Sequence, residues 1–306
     1  MKYFYRGVVA TIAVTIGFVI VTAAQKTGRK TATQTKTKQA VFSVINDGTT
    51  IEPIAFIENG KLVSGGGDDA SQQASLAKTY YKKGAKFDLI FGGVSNGSVT
   101  VTKSNVGTEC GGSSASASFK STKAKLKGFV MALAVNFKPT SKGSGLRRMP
   151  TANERAEIDS LVRSVYANHK VPAASYKQLH YQNLTAVDVD NDGVPEFVGS
   201  YWLAPKADQR DLLFFIAEKG KNGKLAFTYS DYQEVTSDKV MSGDLKDIEK
   251  GIYQPLLLDL LDVDNDGTAE VFTLSGAFEG NNYAVFKRSE GKWTKVIESY
   301  DYRCGY

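Results

Sequence analysis

An α+β, β-rich fold is what this sequence predicts: an N-terminal mixed α/β domain, then a C-terminal domain of two blade-like antiparallel β units packed with a helix. An irregular β-propeller is the alternative. Three observations point there. Short runs rich in Val, Ile, Phe and Tyr alternate with Gly- and Asn-containing turns. One segment, just after Pro150, has both the apolar spacing and the start signal of a helix. An acidic nonapeptide occurs twice, at 188–196 and 262–270, with similar apolar flanks. With 306 residues and 42% hydrophobic side chains, the chain can fill one large core or two ordinary ones, which excludes a disordered protein and a bundle of membrane helices.

Taken in order, residues 1–24 begin with Lys2 and Arg6, run apolar over 7–24 and finish on Thr22, Ala23 and Ala24. That is the pattern of an export signal peptide cut after Ala24, and the run is also long enough to remain as a membrane anchor. The cations that follow it outnumber those before it, against the positive-inside tendency. Residues 25–40 are Lys, Thr and Gln with almost nothing to bury, so they form a flexible tether. Over 41–140, a β-rich α+β domain, strands are expected at 41–45, 53–58, 87–91, 99–102, 115–119 and 129–136, with one helix over 71–83. Asn59-Gly60 and Asn96-Gly97 suit tight hairpin turns, and Phe91-Gly92-Gly93 reads as a strand end.

Residues 141–150 form a linker to the segment 151–306. There Thr151 and Glu154 make a capping box, and Ile158, Leu161, Val162, Val165 and Tyr166 fall on one helical face that belongs to a core. The helix ends near His169, before Pro172. A shift of 74 residues then sets Leu184 on Leu258 and Val187 on Leu261. Each copy continues into a second hairpin, around Lys221-Asn222-Gly223 in one and Glu290-Gly291 in the other, giving about four strands, the size of one propeller blade. Two blades do not close a ring, so the two sheets are expected to pack on each other and on the helix. A short helix is expected within 241–251.

The repeated nonapeptide carries the chemistry. Asp188, Asp190, Asp192 and Glu196, and Asp262, Asp264, Asp266 and Glu270, place carboxylates at positions one, three, five and nine around one glycine. Hard cations such as Ca²⁺ take six to eight oxygen ligands from carboxylates and backbone carbonyls, the latter expected here from Val194 and Thr268. Gly193 and Gly267 supply the positive φ of the reversal. Two Ca²⁺ sites follow. Empty, each loop holds four carboxylates whose pairwise repulsion is roughly 1 to 4 kcal/mol, so it should be loose. An EF-hand would need a bidentate Glu at position twelve, where this chain has Gly199 and Thr273. The loops instead resemble those of FG-GAP or VCBS-type repeats, the strand-loop-strand units of integrin-like β-propellers. That resemblance implies the ligand set just named and a role in adhesion or recognition.

Other chemistry finds little support. The net charge of +6 is mild, and several of the cations lie in the tether, so no nucleic-acid face is indicated. The glycines at 65–67 precede a helix without the Lys-Ser or Lys-Thr of a phosphate loop. His169 and His180 suit structural positions, and no nucleophile motif or zinc motif is present, so no catalytic residue is assigned. Asp88, Glu109, Asp211 and Glu279 have no spacing that singles them out. Cys110 and Cys304 are two free thiols or, if the chain is exported, a bridge tying the C-terminus to the first domain. The preferred function is an exported, monomeric calcium-binding recognition module of the cell envelope, periplasmic or extracellular. It would meet a glycan or an envelope protein through an aromatic surface at Tyr201-Trp202, and a membrane only through residues 7–24. The alternative is a calcium-dependent hydrolase or lyase with its site in the first domain.

Overall fold

The computed structural model describes residues 37–304 except 68 and 141–142. The leader and residues 25–36 of the tether lie outside the described residues. The strands and helices in chain order are β1 (Gln39–Ile45), β2 (Thr50–Glu58), β3 (Lys61–Ser64), α1 (Ala70–Thr79), β4 (Lys86–Ile90), β5 (Ser95–Ser104), β6 (Ala115–Ser121), β7 (Ala132–Val135), β8 (Arg147–Arg148) and α2 (Ala152–Asn168). There follow β9 (His180–Val187), β10 (Glu196–Lys206), β11 (Gln209–Lys219), β12 (Leu225–Thr236), α3 (Lys246–Glu249), β13 (Leu256–Leu261), β14 (Glu270–Ala277), β15 (Gly280–Ser289) and β16 (Lys292–Tyr302). The protein is α+β and β-rich. Among the described residues no helix is long and apolar enough to cross a membrane.

The first sheet runs β1-β7-β4-β5-β6-β2-β3, and an additional β1–β2 pairing closes six of its strands into a barrel. Alternation explains how one strand serves two cores. Phe42 and Val44 point inward with Phe87, Leu89, Val99 and Val101, while Val41 and Ile45 point outward. Helix α1 adds Leu76 to the inner cluster, and Tyr80 and Tyr81 beyond it stack edge-on and tilted against Phe42 at 5.4 and 5.9 Å. The helix ends at Thr79, four residues earlier than the apolar pattern suggests, because Tyr80 and Tyr81 are taken into the barrel core.

Two further corrections belong here. Asn96-Gly97 lies inside β5 and is no turn; the reversal is made by Gly92 and Gly93, both at positive φ, with the Phe91 amide donating to the Val94 carbonyl at 3.0 Å. Gln39 and Ala40 are already part of β1, with Ala40 fully buried, so the first strand takes in the last two residues of the expected tether. The Asn59-Gly60 turn, by contrast, has both residues at positive φ between the paired Glu58 and Lys61, as a two-residue hairpin requires.

The two repeated units are antiparallel meanders, β9 to β12 with β8 added at the edge, and β13 to β16. They pack face to face through Val187, Val198, Phe214 and Ile216 on one side and Leu257, Leu260, Val271 and Phe286 on the other. Helix α2 covers the outer face of the first meander, laying Ile158, Val162 and Tyr166 against Leu184, Phe197 and Phe215. The barrel covers the outer face of the second, with Val41, Ile45, Leu133 and Val135 against Leu258, Phe272, Tyr283 and Val285. The layers are therefore helix, sheet, sheet, barrel, which lets two blade-sized sheets bury all four faces without a ring. Cys110 and Cys304 are joined, with Cα atoms 4.8 Å apart, tying the C-terminus to the β5–β6 connection.

Candidate metal centres

Each acidic loop joins a buried hairpin. Val187 pairs with Glu196, and Leu261 pairs with Glu270, so the ninth residue of each nonapeptide returns beside the residue before its first. Between those pairs the chain must reverse in few residues, and it does so with two left-handed positions per loop: Asn191 (φ 58°) and Gly193 (φ 83°), then Asn265 (φ 61°) and Gly267 (φ 90°). Glycine takes that conformation without strain and asparagine with little, which the asparagines could have signalled.

The internal hydrogen bonds are the same in both copies. The Gly193 amide donates to Asp188 Oδ2 at 3.2 Å, and Gly267 to Asp262 Oδ2 at 3.1 Å. The Val194 amide donates to Asp192 Oδ1 at 2.7 Å, and Thr268 to Asp266 Oδ1 at 2.9 Å. Glu196 Oε2 accepts from the Val189 amide at 2.8 Å, and Glu270 Oε2 from Val263 at 3.0 Å. The outcome is two groups, Asp188 with Asp190 and Glu196, and Asp262 with Asp264 and Glu270, each offering three carboxylate oxygens within 4.8 Å of one another. Either group can hold a metal ion. Asp192 and Asp266 stand outside these groups and are exposed, each accepting from its own loop backbone through Oδ1, while Asp266 Oδ2 accepts from Lys287. Val194 and Thr268 occupy the bend leading into β10 and β14.

The electrostatics are those of buried acid clusters. Asp188 and Asp262 are each 6% exposed, yet Oδ1 of each has no hydrogen-bond partner among the described residues, and the same is true of Asp190 Oδ1. Buried oxygens are rarely left without a partner, so these three mark places that a cation could fill. Burial, with Asp190 and Glu218 nearby, pushes the Glu196 carboxyl up to about 8 against the opposing Val189 amide and Arg288. Burial pushes Glu270 up to about 7 against the Val263 amide and Lys287, and it raises Asp262 as well.

The two loops sit side by side. The Ala269 amide donates to the Val189 carbonyl at 2.7 Å, and both loops line one cleft of about 460 Å³ that Gly93, Thr140 and Gly143 complete from the barrel side. Residues from β11, β15 and β16 that sequence reasoning missed also belong here. Lys287 Nζ donates to Asp264, Asp266 and Glu270 at 2.5, 2.7 and 3.1 Å. Arg288 pairs with Asp190 and, at 3.4 Å, with Glu218, which also accepts from Trp293 Nε1 at 2.5 Å. Their only sequence signal was a pair of cations ending a strand after an acidic loop.

Tyr201 and Trp202 do not form the expected aromatic surface. They are 1% and 9% exposed; Tyr201 donates to Asp159 at 2.8 Å and Trp202 stacks on His180 at 4.4 Å. His169 likewise stacks on Tyr232, at 3.7 Å. No family model, no curated protein and no solved structure matches the chain.

Proposed function

We propose that this chain is an exported calcium-binding recognition module of the FG-GAP or VCBS type, in which Ca²⁺ at the two acidic loops fixes the cleft they share. The observation that carries this reading is the set of buried carboxylate oxygens, on Asp188, Asp190 and Asp262, that have no hydrogen-bond partner among the described residues. Donors of both groups are carboxylates alone, without histidine or cysteine, which suits a hard cation over zinc or copper. Asp188, Asp190, Asp192 and Glu196, with the Val194 carbonyl, would hold one ion; Asp262, Asp264, Asp266 and Glu270, with the Thr268 carbonyl, would hold the other. Bound calcium would neutralise the clustered charge and lock the β9–β10 and β13–β14 hairpins. The disulfide supports an oxidising compartment, where calcium is also abundant.

A second cleft, also of about 460 Å³, lies between the two meanders and supports a glycan as the partner. It presents Tyr229, Tyr253 and Tyr300 beside Asp231, Gln233 and Asn282. Aromatic faces cover the apolar side of a sugar ring while amide and carboxylate groups bind its hydroxyls.

Calorimetric titration with millimolar Ca²⁺ tests the metal. Saturable uptake is expected, with a melting temperature that chelator lowers and calcium restores, because an ion that binds only the folded state stabilises it. Asp190→Ala combined with Asp264→Ala should abolish both responses. Absence of saturable uptake by the unaltered protein overturns the reading. A glycan binding screen with and without calcium tests the partner.

A further inference from the structure

The two loops share a sequence and a backbone, but strand register gives them different charged neighbours. In the first meander Phe197, just after Glu196, pairs with Ala217. In the second, Val271, just after Glu270, pairs with Phe286. The next residue along the partner strand therefore holds the same place in each unit, and it is Glu218 in the first and Lys287 in the second. The first loop gains a fifth carboxylate from its own sheet. The second gains an ammonium that is already bonded to three of its four acids.

Lys287 is well placed to act as a built-in counter-ion. Its side chain is 29% exposed and its three donors are used on three carboxylates. Arg288, the adjacent residue, reaches to the other loop and takes Asp190 alone of the first group's carboxylates. Oδ1 of Asp188 and of Asp262 is without a hydrogen-bond partner among the described residues, so the contrast lies in the cations alone.

We infer that the two centres are not equivalent: the first is a high-affinity divalent-cation site, whereas the second carries Lys287 as a tethered competitor that a divalent ion must expel before it can bind. This rests on the calcium reading above for its affinities, though not for its effect on the empty loop. Two consequences follow. Calcium fills the loops in sequence, first 188–196 and then 262–270, so the protein responds at two separate calcium levels. Without metal, the second loop is held by Lys287 on three carboxylates and the first by Arg288 on Asp190 alone, so the first is the looser of the two.

Calcium titration of the unaltered protein by calorimetry should show two steps whose affinities differ by at least about tenfold, or one step alone, given the cost of displacing a charge from carboxylates at this distance. Lys287→Gln should tighten the second step or create it, by about tenfold or more, and Glu218→Lys should weaken the first. Hydrogen exchange in chelator gives a readout that needs no calcium: 262–270 should exchange more slowly than 188–196, and Lys287→Gln should erase that difference. Lys287→Arg, which keeps the charge, should preserve it and reports on whether the site tolerates substitution. Two equal steps in the unaltered protein, or a second step unmoved by Lys287→Gln, overturn the inference and leave the calcium reading standing. Lack of any uptake together with the predicted exchange asymmetry does the reverse.

Discussion

The second meander, β13 to β16, is bound on its two faces by different physics. Toward the first meander the core of the contact is apolar, with Phe286 meeting Phe214 at 5.3 Å and Tyr229 at 4.8 Å, and the charged contacts of Arg288 with Asp190 and Glu218 lie at the end near the acidic loops. Toward the barrel, apolar packing is interrupted by buried charge. Asp259, fully buried, pairs with Arg147 at 2.7 Å and accepts from the Gly92 and Gly93 amides at 3.0 and 2.9 Å. Glu52, also fully buried, pairs with Arg303 and accepts from Tyr283 and Asn281 at 2.5 and 2.9 Å. An apolar interface tolerates small shifts in register and is lost gradually as area is removed. A buried ion pair admits one arrangement and fails abruptly when one partner goes. The polar face therefore fixes where the barrel's Gly92-Gly93 turn stands, and that turn helps to wall the cleft shared by the two acidic loops.

The steepest break in this contrast is Arg147→Met. It strands Asp259 without its cation, and about 3–5 kcal/mol of stability should be lost in denaturant titration. Adding Asp259→Asn should return part of it; a double variant no more stable than the single one would contradict the pairing. Next comes the staple on the barrel side: Cys110→Ser with Cys304→Ser should cost about 2–4 kcal/mol, measured by thermal melting. On the apolar face the response should be shallow, with Ile216→Val costing about 1 kcal/mol and leaving the two interfaces' cooperativity intact.

The smallest effect concerns helix α2, which covers the far side of the first meander. Arg148 and the Thr151 cap hold the Glu154 carboxyl down to about 2, from an ordinary value of 4.5. Because the folded value is the lower one, this contribution is fully present above about pH 4.5 and is lost as pH falls through about 2. Glu154→Gln should flatten stability across that window, and Thr151→Ala should remove about 1 kcal/mol at neutral pH.

Several elements were legible in the chain because their causes are local. The capping box is present in both its bonds, Thr151 to the Glu154 amide and Glu154 back to Thr151. Glu290-Gly291 turns β15 into β16 with both residues at positive φ. The Asn96-Gly97 turn failed because a dipeptide's preference is weak against the pull of Asp259 on the two glycine amides four residues earlier. Tyr201-Trp202 failed as a surface because alternation along a strand buried on both faces hides both residues, Tyr201 beneath α2 and Trp202 against Leu212 and Val235. Asp259, one acid in a run of leucines at 256–261, was a signal that went unread.

By itself, the sequence determined the two acidic loops: alternate carboxylates and a left-handed glycine act within nine residues, so spacing suffices. Tertiary structure decided everything that distinguishes one loop from the other. A constant shift of 74 residues would set Lys287 on Leu213, whereas pairing sets it on Glu218, because the two meanders differ in hairpin length and register is fixed by packing. The bond between the loops, the barrel wall of their cleft and the Arg147–Asp259 pair likewise join residues dozens to more than a hundred positions apart, brought together only when the sheets and the barrel bury their shared faces.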